Sequence, residues 1–275
     1  MSFIDIFKHP LMKGFKKVGA IILARSNAIA IATLHTGHRI KVDLSSTVGR
    51  SIYLRGVYEP EVESCIYHCL DIGDTFVDVG ANVGYFSIIA SQFVGQEGSV
   101  YAFEPHKKVF NLLRESVKIN FLNNVEIAEI GLWNERTELS FESQSNSAFS
   151  YIVPSQDNSM LPKIQCVTFD EYIETKRKSP IKLIKIDVEG AEFKVISGMK
   201  KTIDEFHPCF IIEMQNWSLS RFSNEVGCIF DFFKERQYSS YDLSHRLIES
   251  EEEALKILEQ SAIKNLLFKK TPFKE

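Results

Sequence analysis

The run Asp78-Val79-Gly80-Ala81-Asn82-Val83-Gly84-Tyr85-Phe86 places an acid directly before a turn that carries two glycines. Glycines after a strand let the backbone turn tightly at the start of the next helix, where ligands are often held. Their spacing here is Gly-x-x-x-Gly, and Asn82 fills the slot where a dinucleotide fold needs its second glycine for the pyrophosphate. Asp78 would repel a diphosphate but could hold an ammonium group. A zwitterionic, cationic sulfonium ligand fits this turn better than a nicotinamide dinucleotide. Downstream, Glu104 stands where a carboxylate can accept hydrogen bonds from both hydroxyls of a ribose. The competing reading of Glu104 is an acid that starts a helix at Pro105.

Those acids need elements to position them. Thr75–Val79 reads as a continuous apolar strand, followed by a helix carrying Phe86, Ile88, Ile89 and Phe93. Residues 99–103 and 125–130 read as the next two strands, with a helix between them bearing Val109, Leu112, Leu113 and Val117. Strands are also expected at 137–142 and 165–169. Lys182–Asp187 is a further core strand, followed by a helix with Lys200-Lys201 at its C-terminal end. Residues 209–213 form another strand, Val226, Ile229, Phe230 and Phe233 mark a helix, and 238–243 can pair with 264–269. Alternating β and α elements require right-handed crossovers and a mainly parallel sheet covered on both faces. Ligands of such sheets bind beyond the carboxyl ends of the strands. Asp78, Glu104, Asp187 and Glu213 all fall at those ends.

The segments Asp78–Phe86, Glu104-Pro105 and Lys185-Ile186-Asp187-Val188-Glu189-Gly190-Ala191-Glu192 together resemble the FkbM family of methyltransferases. The likeness runs from about Gly56 to Glu213. It implies a class I methyltransferase fold: α/β, Rossmann-like, with a seven-stranded, mainly parallel sheet and one antiparallel strand near the C-terminus. It also implies methyl transfer from S-adenosylmethionine, usually to a hydroxyl oxygen. Carried over by position, Asp78, Gly80, Asn82 and Gly84 would hold the methionine part, with Ala81 and Tyr85 completing that segment. Glu104, with Pro105, would take the ribose, and Gly131-Leu132 would lie near the adenine.

Methyl transfer to an alcohol needs a base for the hydroxyl proton. Asp187, at a strand end beside the cofactor strand, and Glu189 two residues on are the candidates, Asp187 facing the cofactor as well. Glu189 and Glu192 could instead complement the dipole of the following helix. By analogy of fold, Asp187 and Glu213 could hold Mg²⁺ through oxygen ligands, although no metal is the leading expectation. Tyr58-Glu59 could fold over the cofactor as a lid, bringing Glu59 to it. The polar 143–159 loop could shape the acceptor site. His106 and His245 read as surface residues ahead of bases, with His106 near enough to the strand ends to stay a candidate, and Trp133 and Trp217 as core or sugar-stacking residues.

Composition narrows the partners. The chain has 275 residues, 44% hydrophobic and 25% charged, with net charge −4 and no long basic run, so a dedicated nucleic-acid binder is not expected. Five cysteines without a Cys-x-x-Cys pair argue against a disulfide framework or structural zinc. No apolar run reaches the ~18 residues of a membrane span, and the expected compartment is the cytoplasm. Residues 1–57 read as an extension with a packed helix and short strands, and 58–275 as the catalytic domain. The leading expectation is O-methylation of a saccharide or another small hydroxylated metabolite. N-methylation, an NAD-dependent oxidoreductase and a non-catalytic cofactor-binding module are the alternatives.

Overall fold

The computed structural model describes residues 28–143, 150–152, 161–176, 180–215, 225–260 and 263–270. The N-terminal helix expectation, most of the 143–159 loop and Trp217 fall outside them. β1 (Ile29–Thr33) and β2 (Arg39–Asp43) form an antiparallel hairpin with Gly37 at φ 87° in its turn. α1 (Thr47–Arg55) starts at Ser46, whose hydroxyl accepts from the Gly49 N–H, and stops at Gly56 in the left-handed region. α2 (Pro60–Cys69) opens on a proline, where the missing N–H costs nothing.

The alternating core follows as β3 (Thr75–Val79), α3 (Tyr85–Val94), β4 (Ser99–Phe103), α4 (Lys107–Ile119) and β5 (Val125–Ala128). Next come β6 (Gly131–Leu132), β7 (Thr137–Ser143), β8 (Ser150–Ile152), β9 (Lys163–Val167) and α5 (Phe169–Glu174). The core resumes with β10 (Ile181–Ile186), α6 (Glu192–Ser197), α7 (Lys200–Phe206) and β11 (Cys209–Gln215). It closes with α8 (Glu225–Glu235), β12 (Ser239–Asp242), β13 (Leu247–Ile248), α9 (Glu251–Gln260) and β14 (Ile263–Lys269).

The main sheet has the order β13-β12-β14-β11-β10-β3-β4-β5. β11, β10, β3, β4 and β5 run parallel, and β14 lies antiparallel between β11 and β12. This is the expected Rossmann-like sheet with its closing antiparallel strand. It has eight strands instead of seven, because β13 pairs with the outer edge of β12. That strand is two residues long and is fixed by a turn in which Asp242 Oδ1 accepts from the N–H groups of Ser244 and Arg246. So short a piece has no periodicity to read.

Both faces of the sheet are covered, which is why its central strands are continuous apolar runs. On one face Val77, Val79, Ile184, Ile186 and Ile212 pack with Ile196, Ile203 and Phe233 of α6, α7 and α8. On the other, Phe76, Leu183 and Ile211 pack with Ile66 of α2, Ile88 of α3, Ile40 of the hairpin and Ile52 of α1. The hairpin and α1 therefore share one apolar layer with the core helices. Among the described residues no helix is long and apolar enough to cross a membrane.

Three boundaries differ from the sequence expectation. The strand expected at 125–130 ends at Ala128, and Gly131-Leu132 joins a separate sheet of order β6-β9-β7-β8. The strand expected to run to Phe169 ends at Val167, because Thr168 caps α5 through the Glu171 N–H. Lys200-Lys201 begins α7 and does not end the preceding helix. There Asp170 accepts from the Lys201 and Thr202 N–H groups at 2.9 Å, supplying the cap that a lysine cannot.

Candidate active site

The order of strands reverses between β3, which leads to β4 and β5, and β10, which leads to β11. The cleft of such a sheet opens at this switch, outside the carboxyl ends. β3 ends in a turn with positive φ at Gly80 (79°), Asn82 (51°) and Gly84 (90°). The Gly80 and Ala81 N–H groups donate to the Phe103 carbonyl at 3.0 and 2.9 Å, and Asn82 Oδ1 accepts from the Val83 N–H. A Cβ on Gly80 would overlap the Asp187 carbonyl, and one on Gly84 would run into the Leu113 side chain. The close approach each glycine permits is thus between parts of the protein: β3 against β10, and α3 against α4.

Glu104, at the end of β4, is buried at 7% exposure. Its Oε2 accepts from the Asn82 N–H at 3.0 Å and its Oε1 from the His106 N–H at 2.8 Å. Burial pushes its carboxyl up to about 7 against the pull of those two bonds. Each carboxylate oxygen keeps capacity for a further donor. His106 caps α4 by accepting from the Val109 N–H, which accounts for its place after Pro105. Leu132 is buried in the core with Val79 and Phe103, and Gly131 sits against Cys166.

If Glu104 takes ribose hydroxyls, Glu104→Ala should weaken S-adenosylhomocysteine binding by about 1–3 kcal/mol. Affinity in the parent should rise as pH passes upward through about 7, where the carboxyl ionises. Glu104→Gln should flatten that rise. Calorimetry between about pH 6 and 8 measures both, and a parent-like slope in the glutamine variant rules the role out.

The other acids gather around one lysine. Asp78 and Lys185 are register partners on β3 and β10 and so share a face. Lys185 is 1% exposed, with its ammonium 2.9 Å from Asp187 Oδ2 and 5.0 Å above the Phe86 ring. Burial alone would lower the lysine, but Asp187, Asp78, Glu59 and Glu213 reverse this and hold it above its ordinary value. Asp78 is fully buried. Its Oδ2 accepts from the Ser87 hydroxyl at 2.6 Å, while its Oδ1 has no partner. Burial raises its carboxyl, against Lys185 and Ser87.

Burial works against the charge of Asp187 too, yet the adjacent Lys185 holds its carboxyl below the usual range. Glu213 hydrogen-bonds Asp187, and burial together with that neighbouring charge pushes it well above the usual range. Of this hydrogen-bonded pair, Glu213 is the member pushed toward its neutral form and Asp187 the member held toward its charged form. Glu59 occupies the left-handed region (φ 41°) as the residue before α2. It bonds Tyr58 and feels the charges of Lys185 and Asp187, and burial raises its carboxyl. Glu189, also left-handed at φ 58°, brings an oxygen within 4.8 Å of those of Asp187 and Glu213. The structure thus unites Asp78, Glu59, Asp187, Glu189 and Glu213. For Mg²⁺ the set fits poorly, since the Lys185 ammonium already sits on Asp187 and supplies the positive charge.

Two groups escaped the sequence reading. Lys185 was visible only as a motif letter, although a cation in the buried stretch of a core strand demands paired acids. Glu63, on α2, is 4% exposed and collects three side chains. Its Oε2 accepts from the Tyr85 hydroxyl at 2.6 Å, and its Oε1 from the Tyr67 hydroxyl at 2.8 Å, with His35 Nε2 at 2.6 Å. Tyr85, placed in the cofactor segment by sequence, directs its hydroxyl here, and its ring packs edge-on to Tyr58 at 6.0 Å. The hairpin, α2 and the helix after the β3 turn are therefore joined through one carboxylate. Tyr85→Phe removes a charge-assisted bond, and denaturant titration should show a loss of about 1.5–3 kcal/mol. A loss below about 0.5 kcal/mol would mean water replaces the hydroxyl without cost.

A family model, the methyltransferase FkbM domain, matches residues 78–240, more than half of the chain. The hexuronic acid methyltransferase AglP of Haloferax volcanii is 29% identical over 187 residues, covering 68% of this chain and 73% of its own. Methyltransferase 1 of Beauveria bassiana is 26% identical over 179 residues, covering 54% and 72%. Among solved structures, a methyltransferase FkbM from Methylobacillus flagellatus aligns with TM-score 0.48 and 15% identity, covering 71% of this chain and 43% of that one.

Proposed function

We propose that this chain, which belongs to the methyltransferase FkbM domain family, moves a methyl group from S-adenosylmethionine to a hydroxyl of a saccharide-like acceptor. The observation that carries the cofactor reading is the pair of buried carboxylates at neighbouring strand ends. Asp78 keeps an unpartnered oxygen beside the turn, suited to an ammonium, and Glu104 keeps acceptor capacity for ribose hydroxyls. Gly80, Ala81, Asn82 and Gly84 shape the turn between them, and Glu59 with Tyr58 borders it. Bound there, S-adenosylmethionine supplies a methyl group already activated by a sulfonium.

What the chain must add is alignment, exclusion of water and a place for the acceptor's proton. Asp187 is the candidate proton acceptor. Lys185 fixes its carboxylate, and Glu213 holds the neighbouring proton, so one oxygen of the pair is kept ionised. Glu189 lies close enough to orient the acceptor. The saccharide assignment is supported by the family and by AglP, whose name gives a hexuronic acid as its substrate.

Calorimetry of the full chain with S-adenosylhomocysteine and with NAD tests the reading. Micromolar binding of S-adenosylhomocysteine is expected. Binding of NAD alone would point to an oxidoreductase and remove the proposal. Binding of S-adenosylhomocysteine without transfer of labelled methyl to any hydroxylated fraction would favour a binding module.

A further inference from the structure

We propose that the acceptor subsite extends across Glu213 and Asn265 and takes an uncharged or amine-bearing polyol, excluding acceptors that carry a carboxylate and so differing from the hexuronic acid for which AglP is named. This rests on the methyl-transfer reading above. The cofactor's candidate partners lie on β3 and β4, on one side of the topological switch. On the other side the same face of the sheet continues with polar residues. Ile186 pairs with Ile212, so Asp187 stands beside Glu213, and Glu213 in turn pairs with Asn265 on β14. Directly opposed residues of an antiparallel pair project from the same face. A polar row thus runs Asp78, Lys185, Asp187, Glu213, Asn265, and only its first member lies on a cofactor strand.

Asn265 does not belong in β14 on packing grounds. Leu266, Leu267 and Phe268 beside it are fully buried. Its side-chain Oδ1 is buried and accepts no hydrogen bond. A buried acceptor left unpaired is costly, and a ligand hydroxyl or ammonium would satisfy it.

The charges point the same way. Glu59 faces the row from the segment before α2, Asp187 and Glu189 from the loop after β10, and Glu213 from β11. The cation among them is Lys185, buried and already bonded to Asp187. A carboxylate on the acceptor would meet the ionised Asp187 and no uncommitted positive partner of this group, and such like-charge juxtaposition suppresses wrong ligands. A hydroxyl or an ammonium donates into the same acids.

The test uses the full chain saturated with S-adenosylhomocysteine and three probes: methyl α-glucopyranoside, glucosamine and glucuronate. Binding is read by ligand-observed NMR and labelled-methyl transfer in parallel. The first two probes should bind, with glucuronate at least ~30-fold weaker than the better of them. Asn265→Leu should raise the KM of that better probe ~10-fold or more while S-adenosylhomocysteine affinity stays within ~2-fold. Asn265→Asp should shift preference from the glucoside toward glucosamine. Glucuronate binding as tightly as the neutral sugar, no sugar binding at all, or an unchanged KM in the leucine variant overturns the proposal. If Asn265→Leu does not fold, the probe ranking with the parent protein still decides. Loss of the methyl-transfer reading itself would show differently, as absent S-adenosylhomocysteine binding in the parent.

Discussion

Lys185→Met is expected to lower stability by about 3–5 kcal/mol, since it removes one side of a buried ion pair and leaves the other unpaired. In a chain of this size that corresponds to a fall in Tm of roughly ten degrees. The methionine fills similar volume, so the loss would come from charge and not from a cavity. The pH dependence identifies the cause. In the parent, Lys185 is held above its free value, so its stabilisation is complete at neutral pH and is lost only when pH climbs through that raised value. Asp187 is held below its free value, so its stabilisation is present above the ordinary carboxylate range and is lost as pH falls through the lowered one. Without the lysine, Asp187 should join Asp78 and Glu213 in the raised direction. The folded variant would then bind more protons than the unfolded chain, and its stability should rise as pH drops from about 7 to about 5. Thermal denaturation across that window measures the slope. A drop of a degree or two with the parent's pH dependence would show that water, and not the lysine, compensates these acids.

The same lysine shows what the sequence could and could not convey. β3 and β10 were legible because strands buried on both faces must be apolar throughout, and the acids at their ends then fall at the carboxyl edge by topology alone. Asp78, Glu104, Asp187 and Glu213 could all be placed in this way. What pairs with what was not legible. Glu63 looks like one acid among several on a helix, and its partners His35 and Tyr85 lie 28 and 22 positions away. Asn265 sits in β14, whose register with β11 only the folded sheet fixes. Gly80 and Gly84 were singled out for close approach to a ligand, and the clashes they avoid in the fold are with Asp187 and Leu113, which no spacing rule names. The proton held between Asp187 and Glu213 likewise depends on two strands meeting side by side.

That shared proton sharpens the second large effect, Asp187→Asn. If Asp187 accepts the acceptor's hydroxyl proton, the amide cannot replace it, and turnover should fall ~10²-fold or more. S-adenosylhomocysteine affinity should stay within about tenfold, because Asp78 and Glu104 remain in place. Shape is conserved, so lost turnover with near-parent binding would locate the defect in proton transfer. Glu213→Gln makes the comparison informative. It keeps a hydrogen-bond donor toward Asp187 but cannot release a proton, and Asp187 stays ionised beside Lys185. It should therefore cost far less than Asp187→Asn if Asp187 is the accepting atom, and about as much if the proton finally rests on Glu213. Single-turnover methyl transfer in the three proteins separates these cases. Parent-like turnover in Asp187→Asn would remove the residue from the chemistry and leave it as the counter-ion that keeps Lys185 buried.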